Sequence, residues 1–485
     1  MTTTTAEDDM WAGDDLTPPR TPGPRRAVRS VRRAPVQHRG QLRMAERFLS
    51  EHGDSLRHVH GIGWHEWDGA RWLADEKRVD LSYAVGTVKN ALRDLENMGG
   101  DERDDLYKDI RKSESASGLE GMVKIASALA PMSVASKELD ADPYLFNTPT
   151  GTVNLLTGDI TECSRDDLIT KVAGAGLDDE PEEGDGGAAE WESFLERILP
   201  DEEVRAFVQR FCGYAMLGKV TEHVMPIFTG TGANGKGTFR DAMQAAFGDY
   251  AIEVDPAILM ESKHERHGAF KMRLRGARLV FCSETEQGKR FAESTMKRLT
   301  GGDHIEANLM HKNPIQFDPS HALVMLTNHL PAVSGDDPAV WRRILVVPFD
   351  VVIPPEERDG SLPDRLKKAS AAVLSWVYEG WLAYQEQGLN PPEVIRVRTQ
   401  EYQASSDVLG RFLEERTITT PHGRVRAREL FTAWSAWCAS SGEQAGTEKA
   451  FAESLAQRGH VSKKSTGGVK TYQGLMLSGT DDDDD

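Results

Sequence analysis

Residues 222–247, EHVMPIFTGTGANGKGTFRDAMQAAF, pass from an apolar run through a glycine-rich loop straight into an amphipathic run. The first part reads as a strand. KGTFRDAMQAAF reads as a helix with Phe239, Met243 and Phe247 on one face. A helix that starts where a strand ends must fold back over the sheet, so the next strand runs parallel to the first. Three more short apolar runs follow, in ARLVFCSE, HALVMLTN and ILVVPFD, with helical stretches between them. This alternation over residues 222–350 predicts a parallel α/β sheet covered on both faces.

The loop has the spacing of a phosphate cradle, G-x-x-x-x-G-K. Gly230, Gly235 and Lys236 hold the fixed positions, with Thr231, Gly232, Ala233 and Asn234 between them. Glycines let backbone N–H groups turn inward toward phosphate oxygens, and the helix N-terminus adds a favourable dipole. Lys236 adds a point charge. The residue types therefore point to the β and γ phosphates of a nucleotide as the ligand, with Mg²⁺. One position departs from the pattern: Gly237 stands where a Ser or Thr hydroxyl would ligate the metal, and Thr238 comes one step late. Either Thr238 takes that role, or water and a distant carboxylate do.

Such a carboxylate belongs at the end of a later strand. LVFCSETE, residues 279–286, ends in Glu284 and Glu286; Glu284 is the first candidate, and Glu286 lies on the same side if the strand continues. The alternative is a pair of surface acids at a strand end. Next, Asn328 closes LVMLTN before a turn, where ordinary turn chemistry competes with a role beside the phosphate. Arg342 and Arg343 precede ILVVPF and suit either a finger reaching a neighbouring subunit's nucleotide or a structural ion pair.

The remaining chain divides by composition. Residues 1–45 form an arm that is acidic at first and then basic, without periodicity. Residues 46–176 read as an α+β domain with hairpin signals at Asp68-Gly69 and in LFNTPTGTVNLLTGDITE. Asp68 reads as a turn residue, and His58 and His65 as surface histidines. Residues 177–190 are an acidic linker, 191–390 hold the ATPase-like unit, 391–480 a C-terminal module and 481–485 an acidic tail. In the C-terminal module two helices, the second capped by Thr447, precede a hairpin. That is the order of a winged helix, with Lys463, Lys464 and Lys470 in the wing.

The formal charge of −19 argues against nucleic acid as a partner when taken as a sum, but the acids are concentrated in segments and leave room for basic patches. Four scattered cysteines, Cys163, Cys212, Cys282 and Cys438, indicate neither a disulfide framework nor a zinc ribbon. That cysteine usage fits a reducing cytoplasm, and no apolar run approaches bilayer length, so no membrane partner is expected.

The motif order GTGANGKGTF, LVFCSETEQGKRF, HIEANLMHKNPIQF, LVMLTNHLP and WRRILVVPF resembles the superfamily 3 helicases, and more closely the phage and plasmid primase-helicases related to the poxvirus primase-helicase. The resemblance implies an AAA+-like P-loop ATPase core between an N-terminal α+β domain and a C-terminal winged-helix domain. It implies a ring, commonly a hexamer, that translocates on single-stranded DNA, acts on forked DNA, uses ATP and Mg²⁺ and works in a bacterial host cell for a phage or mobile element. Carried over, Lys236 is the phosphate lysine, Glu284 the acidic strand residue, Asn328 the sensor and Arg342 or Arg343 the finger. HIEANLMHKNPIQF resembles a pore hairpin, with His311 and Lys312 at its tip on the DNA. No built-in primase is expected, which makes a separate primase a candidate partner. The competing expectation is an ATP-dependent origin-binding or loading factor that does not unwind.

Overall fold

The computed structural model describes residues 38–177, 186–261, 268–283, 289–307, 314–333, 337–464 and 468–478. Its centre is a five-stranded parallel sheet. The strands are β1 (Met225–Thr229), β2 (Ala251–Val254), β3 (Leu279–Ser283), β4 (Ala322–Thr327) and β5 (Ile344–Pro348). Their spatial order is β5-β1-β4-β3-β2, so β4 lies between β1 and β3.

The near-continuous apolar runs of these strands follow from burial on both faces. Along β3 to β5 the side chains alternate. Phe281, Val324 and Val347 enter one core, while Val280, Met325 and Val346 enter the other. The first core is roofed by three helices: α1 (Glu202–Tyr214), α2 (Lys236–Phe247) and α3 (Ser370–Gln387). Phe239, Met243 and Phe247 are fully buried on α2, at the spacing of one helical face. Burying each contributes about 1.5–3 kcal/mol. Asp201 caps α1 by accepting from the N–H groups of Glu203 and Val204, and Glu202 and Glu203 sit in its positive first turn. Gly213 of α1 faces Gly380 of α3 so closely that a β-carbon on either would overlap the other helix's backbone.

The N-terminal unit packs four helices, Gln41–His52, Val79–Asp94, Gly100–Ser113 and Ala116–Ala126, around a core including Met44, Phe48, Ile110 and Met122. A small sheet flanks it, with strands Leu56–Val59, Gly63–Trp67, Trp72–Ala74 and Ser133–Val134. Asp68 is a turn residue: its Oδ1 accepts from the N–H groups of Ala70 and Arg71, both at 2.9 Å. His65 is not a surface residue. It points inward from its strand at 3% exposure, and burial pushes its pKa down to about 4.

The hairpin Leu145–Thr148/Gly151–Asn154 packs into the core of the central sheet, across the boundary placed at 176. Phe146 stacks on Tyr250 at 4.5 Å between ring centres, and Trp381 Nε1 donates to the Leu155 carbonyl at 2.8 Å.

The C-terminal unit runs as helix Val408–Arg416, strand Thr417–Arg426, helices Ala427–Ser441 and Glu448–Gln457, then strands Lys463–Lys464 and Lys470–Leu477. The first helix and first strand were not separated out in the sequence. The three strands pair antiparallel with Lys470–Leu477 in the middle. Thr447 caps its helix by accepting from the Ala450 N–H. Among the described residues no helix is long and apolar enough to cross a membrane.

Candidate functional site

The glycine-rich loop leaves the carboxyl end of β1 and opens α2. Gly235 occupies the N-cap at φ 81°, and Gly232 turns at φ 101°. Both lie in the left-handed region, where a side chain is strained. A β-carbon on Gly230 would overlap the Asn234 amide and the Phe349 carbonyl, and one on Gly235 would overlap Ile198. Ala233 holds φ 51° without being glycine, at a cost of about 1 kcal/mol. Its carbonyl is pinned by the Ile353 N–H at 2.8 Å. Asn234, 3% exposed, donates to the Phe349 carbonyl at 3.1 Å and so ties the loop to the chain leaving β5.

Lys236 is 7% exposed, and its ammonium is held at the mouth of the loop. Nζ donates to the Gly230 carbonyl and to Asn328 Oδ1, each at 3.0 Å. The strand order creates that second contact. β4 lies beside β1, so its carboxyl-terminal residue emerges next to the loop although it is distant in sequence. The turn after β4 is fixed by Thr327, whose Oγ1 donates to the His329 carbonyl at 2.8 Å. Thr231 and Gly237 are exposed and Thr238 is half-buried on the first turn of α2.

The acid candidates Glu284 and Glu286 lie outside the described residues, as do His311 and Lys312. Of the hairpin that carries the latter pair, strands Ile305–Ala307 and Ile315–Phe317 are described and pair antiparallel, and His304 Nδ1 meets Asp318 Oδ1 at 2.5 Å at its foot. Among the described residues, no group of three or more His, Cys, Asp and Glu side chains is placed to hold a metal ion.

The paired arginines separate. Arg343 is 8% exposed and its Nη1 donates to the Ala339 carbonyl; burial lowers its pKa from the ordinary arginine value. Arg342 is exposed. Asp337, which caps the short helix before them, has its carboxyl held below the usual range by the Lys297 ammonium. Lys463, Lys464 and Lys470 are all exposed, and Lys464 stands directly opposite Lys470 in the strand pair.

One participant escaped the sequence reading. Arg240 lies one turn after Lys236 on α2. Its Nη1 donates to Glu253 Oε1 on β2 at 3.0 Å and to Ser283 Oγ at the end of β3 at 3.2 Å. The available signal was its spacing, i+4 from the lysine on the same helix face.

The fold and this loop define a mixed α/β protein with a glycine-rich loop at the carboxyl edge of a parallel sheet. Comparison with known proteins then places it more narrowly. Residues 45–200 match the family described as D5 N terminal like, and residues 228–343 match a family of unknown function, DUF5906. The chain is 23% identical over 420 residues to "Putative helicase L207/L206" of Acanthamoeba polyphaga mimivirus, covering 78% of this chain and 43% of that protein. It is 24% identical over 309 residues to "Putative helicase 022R" of Frog virus 3, covering 58% and 32%, and 23% identical over 267 residues to "Putative primase C962R" of African swine fever virus (strain Badajoz 1971 Vero-adapted), covering 50% and 28%. The chain thus spans less than half the length of these relatives. Among solved structures, the apo C-terminal region of NrS-1 aligns at 12% identity and TM-score 0.39, over 63% of this chain and 79% of that one, a likeness too loose to argue from. Two family models thus match parts of the chain, which is homologous to viral proteins named "Putative helicase" and "Putative primase".

Proposed function

We propose that the chain is an ATP-driven replicative DNA helicase with an AAA+-like superfamily 3 core, assembling as a ring, commonly a hexamer, on single-stranded DNA. The observation that carries this reading is the meeting of Lys236 with Asn328 across neighbouring parallel strands. A buried ammonium at a helix N-terminus, inside a loop whose glycines exclude side chains, fits the β and γ phosphates of ATP. In this reading Asn328, exposed beside it, senses the terminal phosphate. Thr238 and the acid segment after β3 would hold Mg²⁺, which when bound neutralises phosphate charge. Arg240, which donates to Ser283 Oγ at the end of β3, adds positive charge on the same helix as Lys236.

The C-terminal unit reads as a winged helix contacting DNA. Like charges directly opposite in a strand pair are destabilising, so Lys464 and Lys470 are best accommodated with phosphate between them. In this reading Lys312 and His311 contact the translocating strand, and a separate primase acts alongside.

The test is ATP hydrolysis with and without single-stranded DNA, followed by strand displacement on a forked duplex. DNA-stimulated hydrolysis with displacement is expected. Strong hydrolysis without displacement moves the assignment to an ATP-dependent origin-binding or loading factor.

Arg342, being exposed, is assigned as the finger. Arg342→Ala is expected to lower turnover about 10³-fold in the assembled form while leaving the melting profile unchanged. Arg343→Ala is expected to destabilise by about 1–3 kcal/mol through loss of a buried partner for the Ala339 carbonyl. Turnover and thermal melts of both variants check the assignment, and an inverted pattern exchanges the roles.

Gly237 gives a test of the metal. A β-carbon there meets no atom within 4 Å, so Gly237→Ser is accommodated and gains up to about 0.5 kcal/mol of helix propensity. Its hydroxyl should lower the Mg²⁺ concentration for half-maximal turnover several-fold. An unchanged Mg²⁺ titration would leave the metal entirely to Thr238 and the acids.

A further inference from the structure

The opposite edge of the sheet has a chemistry of its own. A cavity of about 700 Å³ lies where β3 and β4 begin, the end of the parallel sheet remote from the Lys236 loop. Segment 136–143 of the N-terminal region closes one side, and the feet of the hairpin 305–317 close another. Lys137, Lys219, Arg275 and Arg278 line it; the lining acids are Asp140 and Asp318.

These acids do not balance the cations. Asp318 is engaged by His304 at 2.5 Å. Asp140 accepts from the Thr170 backbone N–H and hydroxyl, both at 2.7 Å. It is also the one carboxylate that acts on Arg275, Arg278 and Lys171 alike, with Asp142 acting on Arg278 as well, and Lys171 packs with Asp140 against Gly276. All three cations are buried enough that desolvation lowers their pKa values. Arg278 lies over the Tyr250 ring at 5.4 Å and sends its hydrogen bonds to carbonyls, donating to Pro143, Met216 and Leu145 at 2.7–2.9 Å, and Arg275 donates to the Ser136 carbonyl at 3.0 Å. Carbonyl dipoles satisfy the donors without cancelling the charge. Among the described residues none of these cations forms an ion pair with a side chain, and neither do the exposed rim lysines Lys137 and Lys219. A desolvated excess of positive charge is costly unless an anion joins it.

Resting on the nucleic-acid reading above, we propose that this cavity is a second phosphate-binding site, taking a phosphate-bearing nucleotide unit at the foot of the hairpin. The volume suits a nucleotide rather than a bare inorganic ion. Phe317, half-exposed in the wall, offers a flat apolar surface to its sugar or base. Such a phosphate comes from a single strand passing the hairpin or from a free nucleotide.

The experiment uses the full chain and the double variant Lys137→Ala/Lys219→Ala, whose exposed side chains are removable without opening a core. In a salt titration of single-stranded oligonucleotide binding, the variant is expected to bind about tenfold more weakly at 0.1 M salt. Its slope of log K against log salt should be shallower by about 1.4, two phosphate contacts at roughly 0.7 each. The second arm adds ATP to Lys236→Ala, with and without the double variant, and follows the thermal transition. A saturable shift abolished by the lysine substitutions assigns the cavity to free nucleotide. An effect in the oligonucleotide arm assigns it to the strand. Unchanged binding and slope together with no lysine-dependent shift overturn the proposal. ATP turnover by the unaltered chain, measured alongside, reports on the helicase reading separately.

Discussion

Lys236→Ala is expected to lower ATP turnover by at least about 10²–10³-fold, the cost of removing one preorganised charge from a transferring phosphoryl group. The loss should be chemical and not structural. The lysine's Nζ donates to the Gly230 carbonyl and to Asn328 Oδ1; Asn328 is exposed, and water can replace the ammonium there. Alanine is the better helix former in the first turn of α2. The variant should therefore melt as the unaltered chain does, and DNA binding away from the loop should persist. Phosphate release and a thermal melt, measured on the same preparation, check both halves. Retained turnover would remove the loop from the chemistry.

The second large effect is on stability. Gly213→Ala raises the helix propensity of α1 by about 1 kcal/mol, so an account based on that helix alone has the variant more stable. The packing gives the opposite sign. A β-carbon at Gly213 overlaps the Trp381 backbone N and the Gly380 carbonyl carbon of α3, and these are backbone atoms that cannot rotate aside. The same helix pair is bolted by Gln209 Nε2 on the Trp376 carbonyl at 3.0 Å and continued by Arg210 on the Leu389 and Asn390 carbonyls, each at 3.1 Å. Separating the helices also loosens Phe207, Phe211, Val377 and Trp381, all in the core above the sheet. Gly213→Ala should destabilise by about 1–3 kcal/mol and Gly213→Val by more, a large part of a typical 5–15 kcal/mol. Chemical denaturation reads the sign directly, and a stabilised Gly213→Ala would refute the close approach.

Much of the secondary structure was legible because its causes are local. The strand runs, the bounds of α2, the Asp68 turn and the Thr447 cap each follow from periodicity or a side chain reaching its own backbone within a few residues. The helix Val408–Arg416 and strand Thr417–Arg426 were less visible. That strand is mostly exposed and polar, with Ile418 and Val425 its only aliphatic residues, so its apolar signal is weak. His65 was misplaced for a related reason: a polar residue on a short strand carries no mark of which face the sheet buries.

By itself the sequence determined where the chain turns from strand to helix, and that Gly230, Gly235 and Lys236 stand at that turn, because glycine torsions and apolar spacing act over a few residues. Only the tertiary structure decided which distant groups meet. Inserting β4 between β1 and β3 brings Asn328 to Lys236, and packing α2 over β2 and β3 brings Arg240 to Glu253 and Ser283. It also parts Arg342 from Arg343, exposing one and burying the other. Strand order and burial are settled by how two apolar faces are covered at once, a sum over the whole core that no short stretch of sequence contains.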